Sequence, residues 1–548
     1  MYKMKKSIIA TLALVFTLMI SCKDLTELNI NPNGVDPANA DLNFLLPTTE
    51  TSLGQTVYGI GLGTFSGVMQ QTQQTGWQGG YNNYEWDDLS HSWGGYYSML
   101  MNNDEYFKKA VAGGYEFHEG VARVLRAYIF GMITDLWGDA PYSQALKAEL
   151  GPEYFKPKFD DQKDIYLGIL ADLDTANVLL SKGSYTNVSP KQDAIYAGNA
   201  QKWQKFANSL ALRYYMRLQA KEPSIAEQGI KKIVNDPGKY PLIVSSSDDA
   251  NISFIGSAKE NSNPLNTVYD LAADGSYMRV KMAVTFVDSL QKYDDPRLAI
   301  WANKIQTPLV LVEGTGVDKI VNGKREVSQD VVTKFETDNT MKVDFDPDFA
   351  GVTISHPKVQ IFNMNNANPA QGTVNPHASH LNDRYKKTAD PLVLMRLISA
   401  AEVNFILAEA ASRGWISGAE NYYAAGVQQS LNAWGVGGQF SNYISRAPYN
   451  GLNSILVQKW FASWSTAHES WFDWRRTGLP VLKTGPSAKR QALPLRWYYH
   501  YTNEISKNPD NAATAIGKLQ PTPFQSGDQS NNSAWSKMWV LQGTNKPY

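Results

Sequence analysis

From Glu116 to Leu136 the apolar residues Phe117, Val121, Val124, Tyr128, Met132 and Leu136 fall at steps of three and four, and Gly138-Asp139-Ala140-Pro141 follows at once. That spacing lays one apolar stripe along one face of a helix, which Gly and Pro then end. A chain that repeats the pattern must pack helix on helix, because each stripe has to be buried. Ile165 to Leu180 repeats it through Leu167, Leu170, Leu173, Ala176 and Leu180, with Asp161 and Asp164 near its start, so a helical hairpin is expected. Lys202 to Leu218 follows with Trp203, Phe206, Leu210, Tyr214 and Met216. Met395 to Arg413 presents Ile398, Ala401, Phe405 and Ala408, and Ala419 to Trp434 presents Tyr423, Val427, Leu431 and Trp434 as its partner. The fold class is expected to be mainly α, built of tetratricopeptide-like helix pairs, although no strict repeat of about 34 residues recurs.

Pro241 to Pro391 has another texture, rich in Asn, Gly, Asp and Pro, with strand-like runs at Ile252-Ser253-Phe254 and Leu309-Val310-Leu311-Val312. The expected organisation is one domain over residues 22–548, with a helical scaffold at about 40–240 and 392–548 and a loop-rich insertion carrying a few short strands at about 241–391. An insertion of this kind is where a scaffold displays binding loops.

At the N-terminus, Lys3, Lys5 and Lys6 precede an uncharged apolar run from Ile8 to Ile20, the layout of a signal peptide. The run is 13 residues, against the roughly 20 that a membrane-spanning helix needs. Leu18-Met19-Ile20-Ser21-Cys22 resembles a lipobox, with Met19 where leucine is commoner, so residues 1–21 are expected to be a lipoprotein signal peptide and Cys22 the acylated lipid anchor. Cys22 is the only cysteine, which leaves no disulfide framework. Loss of residues 1–21 removes three lysines and no acid, leaving 48 basic and 52 acidic residues, a formal charge of −4. Phosphate-backbone binding rests on clustered Lys and Arg, so nucleic acid is excluded as a partner.

Fifteen Trp and 29 Tyr supply flat apolar faces with polar handles. Trp77, Tyr81, Tyr84, Trp86, Trp93, Tyr96 and Tyr97 crowd into one short stretch interleaved with Gly, Asn and Asp. Trp77, Tyr81, Tyr84 and Trp86 are expected to face solvent and stack on sugar rings, with Asn83 and Asp87 bonding hydroxyls. The competing expectation is that several of these rings anchor a helix from about Trp93 to Ala110.

No Gly-x-Ser-x-Gly, His-Glu-x-x-His or phosphate-binding loop appears, so neither an enzyme nor a cofactor is expected. Glu85, Asp87 and Asp88 could supply a glycosidase's two carboxylates, but solvated loop acids are the simpler reading. For metal, His377 and His380 stand three apart, and Asp344, Asp346 and Asp348 mimic the start of a calcium loop that has Phe349 and Ser355 where Gly and Glu belong. No metal site is expected.

Several blocks resemble one family in order along the chain. Arg126-Ala127-Tyr128-Ile129-Phe130 through Asp135-Leu136-Trp137-Gly138-Asp139-Ala140-Pro141-Tyr142 is similar to the Leu-Trp-Gly-Asp-x-Pro turn of the SusD/RagB family. Phe159 to Ile165, Ala207 to Arg213, Arg396 to Ala410, Trp471-Phe472-Asp473-Trp474-Arg475-Arg476, and Leu493-Pro494-Leu495-Arg496 with Glu504 and Asn508 resemble its later blocks. Cys22-Lys23-Asp24-Leu25-Thr26-Glu27 looks like an export tag of Bacteroidetes surface lipoproteins, and Leu28-Asn29-Ile30-Asn31-Pro32-Asn33 resembles a divergent nutrient-binding subgroup. The resemblance implies a lipid-anchored outer-membrane protein that captures an oligosaccharide, or in some members an oligopeptide, for a SusC-like TonB-dependent transporter.

Overall fold

Helix pairs dominate the computed structural model, which describes residues 41–75, 79–87, 91–272, 275–365 and 374–548. The principal helices are α1 (Leu42–Leu62), α2 (Gly94–Gly113), α3 (Glu116–Trp137), α4 (Gln162–Leu180), α5 (Ala200–Arg217), α6 (Pro223–Asn235), α7 (Ala400–Ser412), α8 (Ala419–Ala433), α9 (Gly451–Ala462) and α10 (Ala467–Thr477). The pair α3/α4 and the pair α7/α8 make the most extensive contacts, while α5 packs against both α4 and α6. The architecture is the expected tetratricopeptide-like one.

Local chemistry explains the boundaries. Gly138 ends α3 with φ +99°, a conformation that a side chain disfavours. Asp139 then accepts the Gln162 N–H at 2.9 Å, capping the start of α4. Arg123 and Arg126 of α3 both reach Asp172 of α4, so the hairpin is stapled by charge as well as by its apolar seam.

The expected helix from Met395 is corrected. Leu394–Ile398 is a strand, and the helix begins only at Ala400, where the Ser399 hydroxyl accepts the Glu402 N–H at 3.2 Å. The N-cap decides that boundary, because its side chain satisfies an amide that the helix cannot. Labelled in chain order, β1 (Thr72–Gln74) pairs antiparallel with β3 (Val280–Met282), and β2 (Ala250–Ser253) pairs antiparallel with β7 (Leu394–Ile398). Strands β4 (Leu309–Val312), β5 (Asp318–Val321) and β6 (Lys324–Ser328) form a small sheet in the order β4-β6-β5, with β4 and β6 parallel. These strands lie between α6 and α7 in sequence, together with short helices at Val284–Gln291 and Gln329–Asn339.

Helix α7 is buried along its whole length from Ala400 to Ala410, including Glu402 and Glu409. Charges so placed demand partners. Arg213 of α5 grips Glu402 through Nε and Nη2 at 2.7 Å each, and its Nη2 also donates to the Leu397 carbonyl of β7 at 2.8 Å. Arg476 of α10 holds Glu409 and, at 2.8 Å, Asp473. Arg217 contacts Asp135, Glu469 and Asp473, and Lys459 of α9 lies 2.7 Å from Asp473. Burial alone would raise the Asp473 pKa, but Lys459, Arg476 and Arg217 outweigh that and hold it below the usual carboxylate range. One continuous charge lattice thus ties α3, α5, α7, α9 and α10 together.

Breaking this lattice on one side should be costly. Arg213→Met is expected to lower unfolding free energy by about 3 to 5 kcal/mol, against about 1 kcal/mol or less for Lys334→Met in the exposed pair with Asp338. Denaturant midpoints measure both, and the Arg213→Met/Glu402→Met double variant should lose less than the sum of its single changes.

A second prediction concerns Lys281 in β3. Its side chain is buried, its Nζ donates to the Met278 carbonyl at 2.8 Å, and burial pushes its pKa down to about 7. Between pH 7 and about 10 the unfolded chain therefore holds a proton that the folded protein lacks, so this group's contribution to stability rises with pH across that window. Lys281→Met should stabilise most near neutral pH and below, with the gain shrinking toward pH 10 when urea midpoints are compared.

Candidate functional site

Helix α1 carries three glycines whose surroundings differ. A Cβ on Gly54 would stand 2.9 Å from the Ile252 side chain and 3.2 Å from Met395, so α1 lies directly on the β2–β7 ladder. A Cβ on Gly61 would stand 2.3 Å from the Ser465 carbonyl oxygen. Gly59 faces open space, with nothing within 4 Å. That opening is a cleft at the C-terminal end of α1.

The opposite wall is the loop from Phe254 to Asp270, held by two buried asparagines. Asn263 donates from Nδ2 to the Tyr385 carbonyl at 2.8 Å, while its Oδ1 accepts the Tyr58 hydroxyl at 3.1 Å and the Leu265 N–H at 3.2 Å. Asn266 Oδ1 accepts the N–H groups of Val268 and Tyr269 at 3.0 and 2.9 Å. The Tyr58 ring meets Phe254 edge-on at 5.2 Å, and burial raises its hydroxyl pKa well above the ordinary value, which keeps it a neutral donor. The wall is therefore preformed.

The cleft has two adjoining lobes. The larger, about 530 Å³, is lined by Gln55, Phe254, Glu260, Asn266, Tyr269 and Asp270 among others. Tyr269 keeps 42% of its surface exposed there, flanked by Val268 and Leu271, which are also exposed. The smaller, about 230 Å³, is lined by Gln74, Ser276 and Arg279 with Leu62 and Val280, and Tyr58, Gly59 and Pro264 border both. An exposed ring among amides, carboxylates and a hydroxyl suits a ligand with flat apolar faces and many hydroxyl groups. Another cavity, about 370 Å³ between Asp139, Lys518 and Trp539, differs in that Lys518 already bridges Asp139 and Asp161.

The residues singled out in the sequence stand otherwise. Cys22 and Trp77 lie outside the described residues, as does Asp88. Tyr84 and Trp86, expected to face solvent, are corrected: they are 0% and 1% exposed. Trp86 packs edge-on against Phe65, Trp471 and Trp497, and its indole N–H is used by the Gly80 carbonyl at 3.1 Å. The Tyr84 hydroxyl accepts from Gln70 at 3.3 Å. Asn83 is buried and bonds Glu85, and the Tyr81 hydroxyl sits between Thr72 and the Leu62 carbonyl, where burial raises its pKa. Of the expected ligand contacts among the described residues only Asp87 is exposed, near His91, and the neighbouring Glu85 is exposed as well. The described residues 79–87 back the cleft: Asn82 brackets Gln74 through both its side-chain atoms, and Gln74 lines the smaller lobe.

The metal candidates are committed elsewhere. His377 Nδ1 contacts the Thr307 carbonyl at 2.6 Å, whereas His380 stands beside Asn303 and Lys281, and burial lowers its pKa to about 4. Asp346 Oδ1 accepts the N–H groups of Asp348 and Phe349. Among the described residues, no group of three or more His, Cys, Asp or Glu could hold a metal ion, and no helix is long and apolar enough to cross a membrane.

A family model described as "Starch-binding associating with outer membrane" matches residues 45–500. The chain belongs to the SusD-like family. Among solved structures, this SusD-like chain is similar to a chitin-binding protein, with 22% identity and a TM-score of 0.69 over 92% of this chain and 100% of the other. It is also similar to a SusD homolog from Bacteroides fragilis, at 21% identity and TM-score 0.68 over 91% and 100% of the two chains. A third is a chitin-binding SusD homolog from Flavobacterium johnsoniae, at 19% identity and TM-score 0.66 over 91% and 99%. No curated protein matches the sequence.

The blocks that make the SusD-like family legible in sequence are structural in this fold. Arg475 donates to the carbonyls of Asp135 and Leu495 at 2.7 Å, Arg496 bonds the Trp137 carbonyl, and Glu504 accepts from Ser92 and the Trp93 N–H. The cleft residues escaped notice. The signal available for them was one tyrosine, Tyr269, in a loop carrying Asn261, Asn263 and Asn266 within the stretch expected to display binding loops.

Core and cleft rings should differ sharply in what their truncation costs. Trp86→Ala is expected to cost about 3 to 5 kcal/mol of stability, whereas Tyr269→Ala should change it by less than about 0.5 kcal/mol. Thermal or urea unfolding distinguishes them.

Proposed function

We propose that this SusD-like protein is a cell-surface nutrient-binding lipoprotein, anchored through Cys22, that captures a neutral glycan of the starch or chitin type and passes it to a SusC-like TonB-dependent transporter. Binding without turnover is the role assigned. The observation that carries the reading is Tyr269, a solvent-facing ring beside Asn266, Asp270 and Glu260 in a preformed cleft. The family description, which names starch, and the names of two similar proteins, which name chitin, support the same ligand class.

The cleft's modest size fits the role. A lobe of about 530 Å³ lies within the usual 300 to 1,000 Å³ or so of ligand pockets. Weak binding suffices, since a tether to the same membrane as the transporter raises effective concentration and hand-over requires release.

Calorimetry and affinity gels on residues 23–548, with amylose fragments, chitin oligosaccharides and an oligopeptide pool, test the proposal. A saturable glycan signal without product release is expected. Stacking of a flat ring on an aromatic is worth about 1 to 3 kcal/mol, so Tyr269→Ala should weaken it about 5- to 150-fold. Binding of peptides alone, or release of shorter sugars, overturns the reading.

A further inference from the structure

Gly59 is a glycine that packing does not require. On the same helix a Cβ on Gly61 would run into the Ser465 backbone and one on Gly54 would crowd the Ile252 and Met395 side chains, but a Cβ on Gly59 meets nothing. A glycine inside a helix is less favourable than alanine by about 1 kcal/mol. The helical backbone at this position accepts any ordinary residue, and the Gly59 carbonyl takes the Gly63 N–H at 3.0 Å whatever the side chain. What the missing side chain does is leave the floor between the two lobes flat.

The lobes divide their chemistry across that floor. On one side stand the exposed Tyr269 ring, Asn266 and Asp270; on the other stand Gln74, Ser276 and Arg279. The smaller lobe, about 230 Å³, falls below the range in which a pocket holds a ligand alone, about 300 Å³ upward, yet it shares Tyr58, Gly59 and Pro264 with the larger. It is an extension of its neighbour. Its lining is fixed by the same framework, because the Thr75 N–H donates to the Arg279 carbonyl at 3.0 Å and Ser276 is tied through its N–H to Asp270 of the larger lobe.

We infer that the two lobes are one groove for an extended oligosaccharide chain, which stacks one unit on Tyr269, crosses α1 over Gly59, and places its next units against Gln74, Ser276 and Arg279. Gly59 is then a specificity-determining residue: it sets how long a chain the site reads. This rests on the glycan reading above and adds a length dependence that the reading does not require.

The test uses a graded series at one position, Gly59→Ala, Gly59→Gln and Gly59→Trp, in residues 23–548, with chitin and amylose oligosaccharides from the monomer upward. Wild-type affinity should rise at least tenfold from the shortest bound oligomer to the plateau. That long-to-short ratio should fall stepwise as the side chain grows, approaching one in Gly59→Trp. The melting temperature of Gly59→Ala should equal or exceed that of wild type, which shows that the position tolerates a side chain. A folded Gly59→Gln or Gly59→Trp that keeps the wild-type ratio overturns the continuous groove while leaving the glycan reading intact. A wild-type affinity independent of length also overturns it. If wild type binds neither series, the parent reading itself fails, which is a distinct result.

Discussion

The buried ion-pair lattice around α7 is the constraint on which the rest of the molecule depends. Two carboxylates, Glu402 and Glu409, sit in a helix that is buried on every side, so arginines from α5 and α10 must come to them. Arg213 answers Glu402 and at the same time bonds the Leu397 carbonyl, which fixes β7. Strand β7 holds β2, and α1 lies on that ladder through Gly54, whose lack of a side chain allows the contact. The position of Tyr58 and Gly59 in the cleft is therefore set several steps away, by charges buried inside the scaffold. Bidentate arginine geometry suits this purpose, because two parallel bonds fix direction as well as distance.

Much of the scaffold was legible because its signals are physical and local. Glu116 to Trp137 and Ala419 to Ala433 show the expected period, and Gly138 stops the first of them with a conformation that other residues disfavour. Helix α1 was not legible, although it buries Leu46, Leu53 and Val57 at regular helical steps. Its other inward positions add Leu42, Tyr58 and Leu62 but also Asn43, Thr49, Glu50, Gly54 and Gly61, so polar and small residues interrupt the stripe where periodicity looks for large apolar ones. The aromatic segment misled for a related reason. Rings interleaved with Gly and Asn read alike whether they face water or a neighbour, and Trp86 finds Phe65, Trp471 and Trp497, which come from distant parts of the chain.

This division has a functional logic. The blocks that identify the SusD-like family, from Asp135 to Arg476 and Arg496, are spent on carbonyls and carboxylates inside the scaffold. The cleft wall is a loop held from behind by Asn263 and Asn266 and by backbone bonds to Lys386 and Thr388, which leaves the Tyr269 ring facing solvent. A rigid wall also limits the ordering cost of capture, since little of the protein must rearrange when a chain settles.

The most direct measurement is hydroxyl-radical footprinting of the folded protein with and without a saturating chitin or amylose oligosaccharide, read residue by residue by mass spectrometry. Ligand-dependent protection of Tyr269 and of the surrounding loop from Phe254 to Asp270 is expected, with no change at Trp86, which is already shielded. Protection that appears elsewhere on the surface while Tyr269 remains as reactive as in the free protein would contradict the cleft as the binding site.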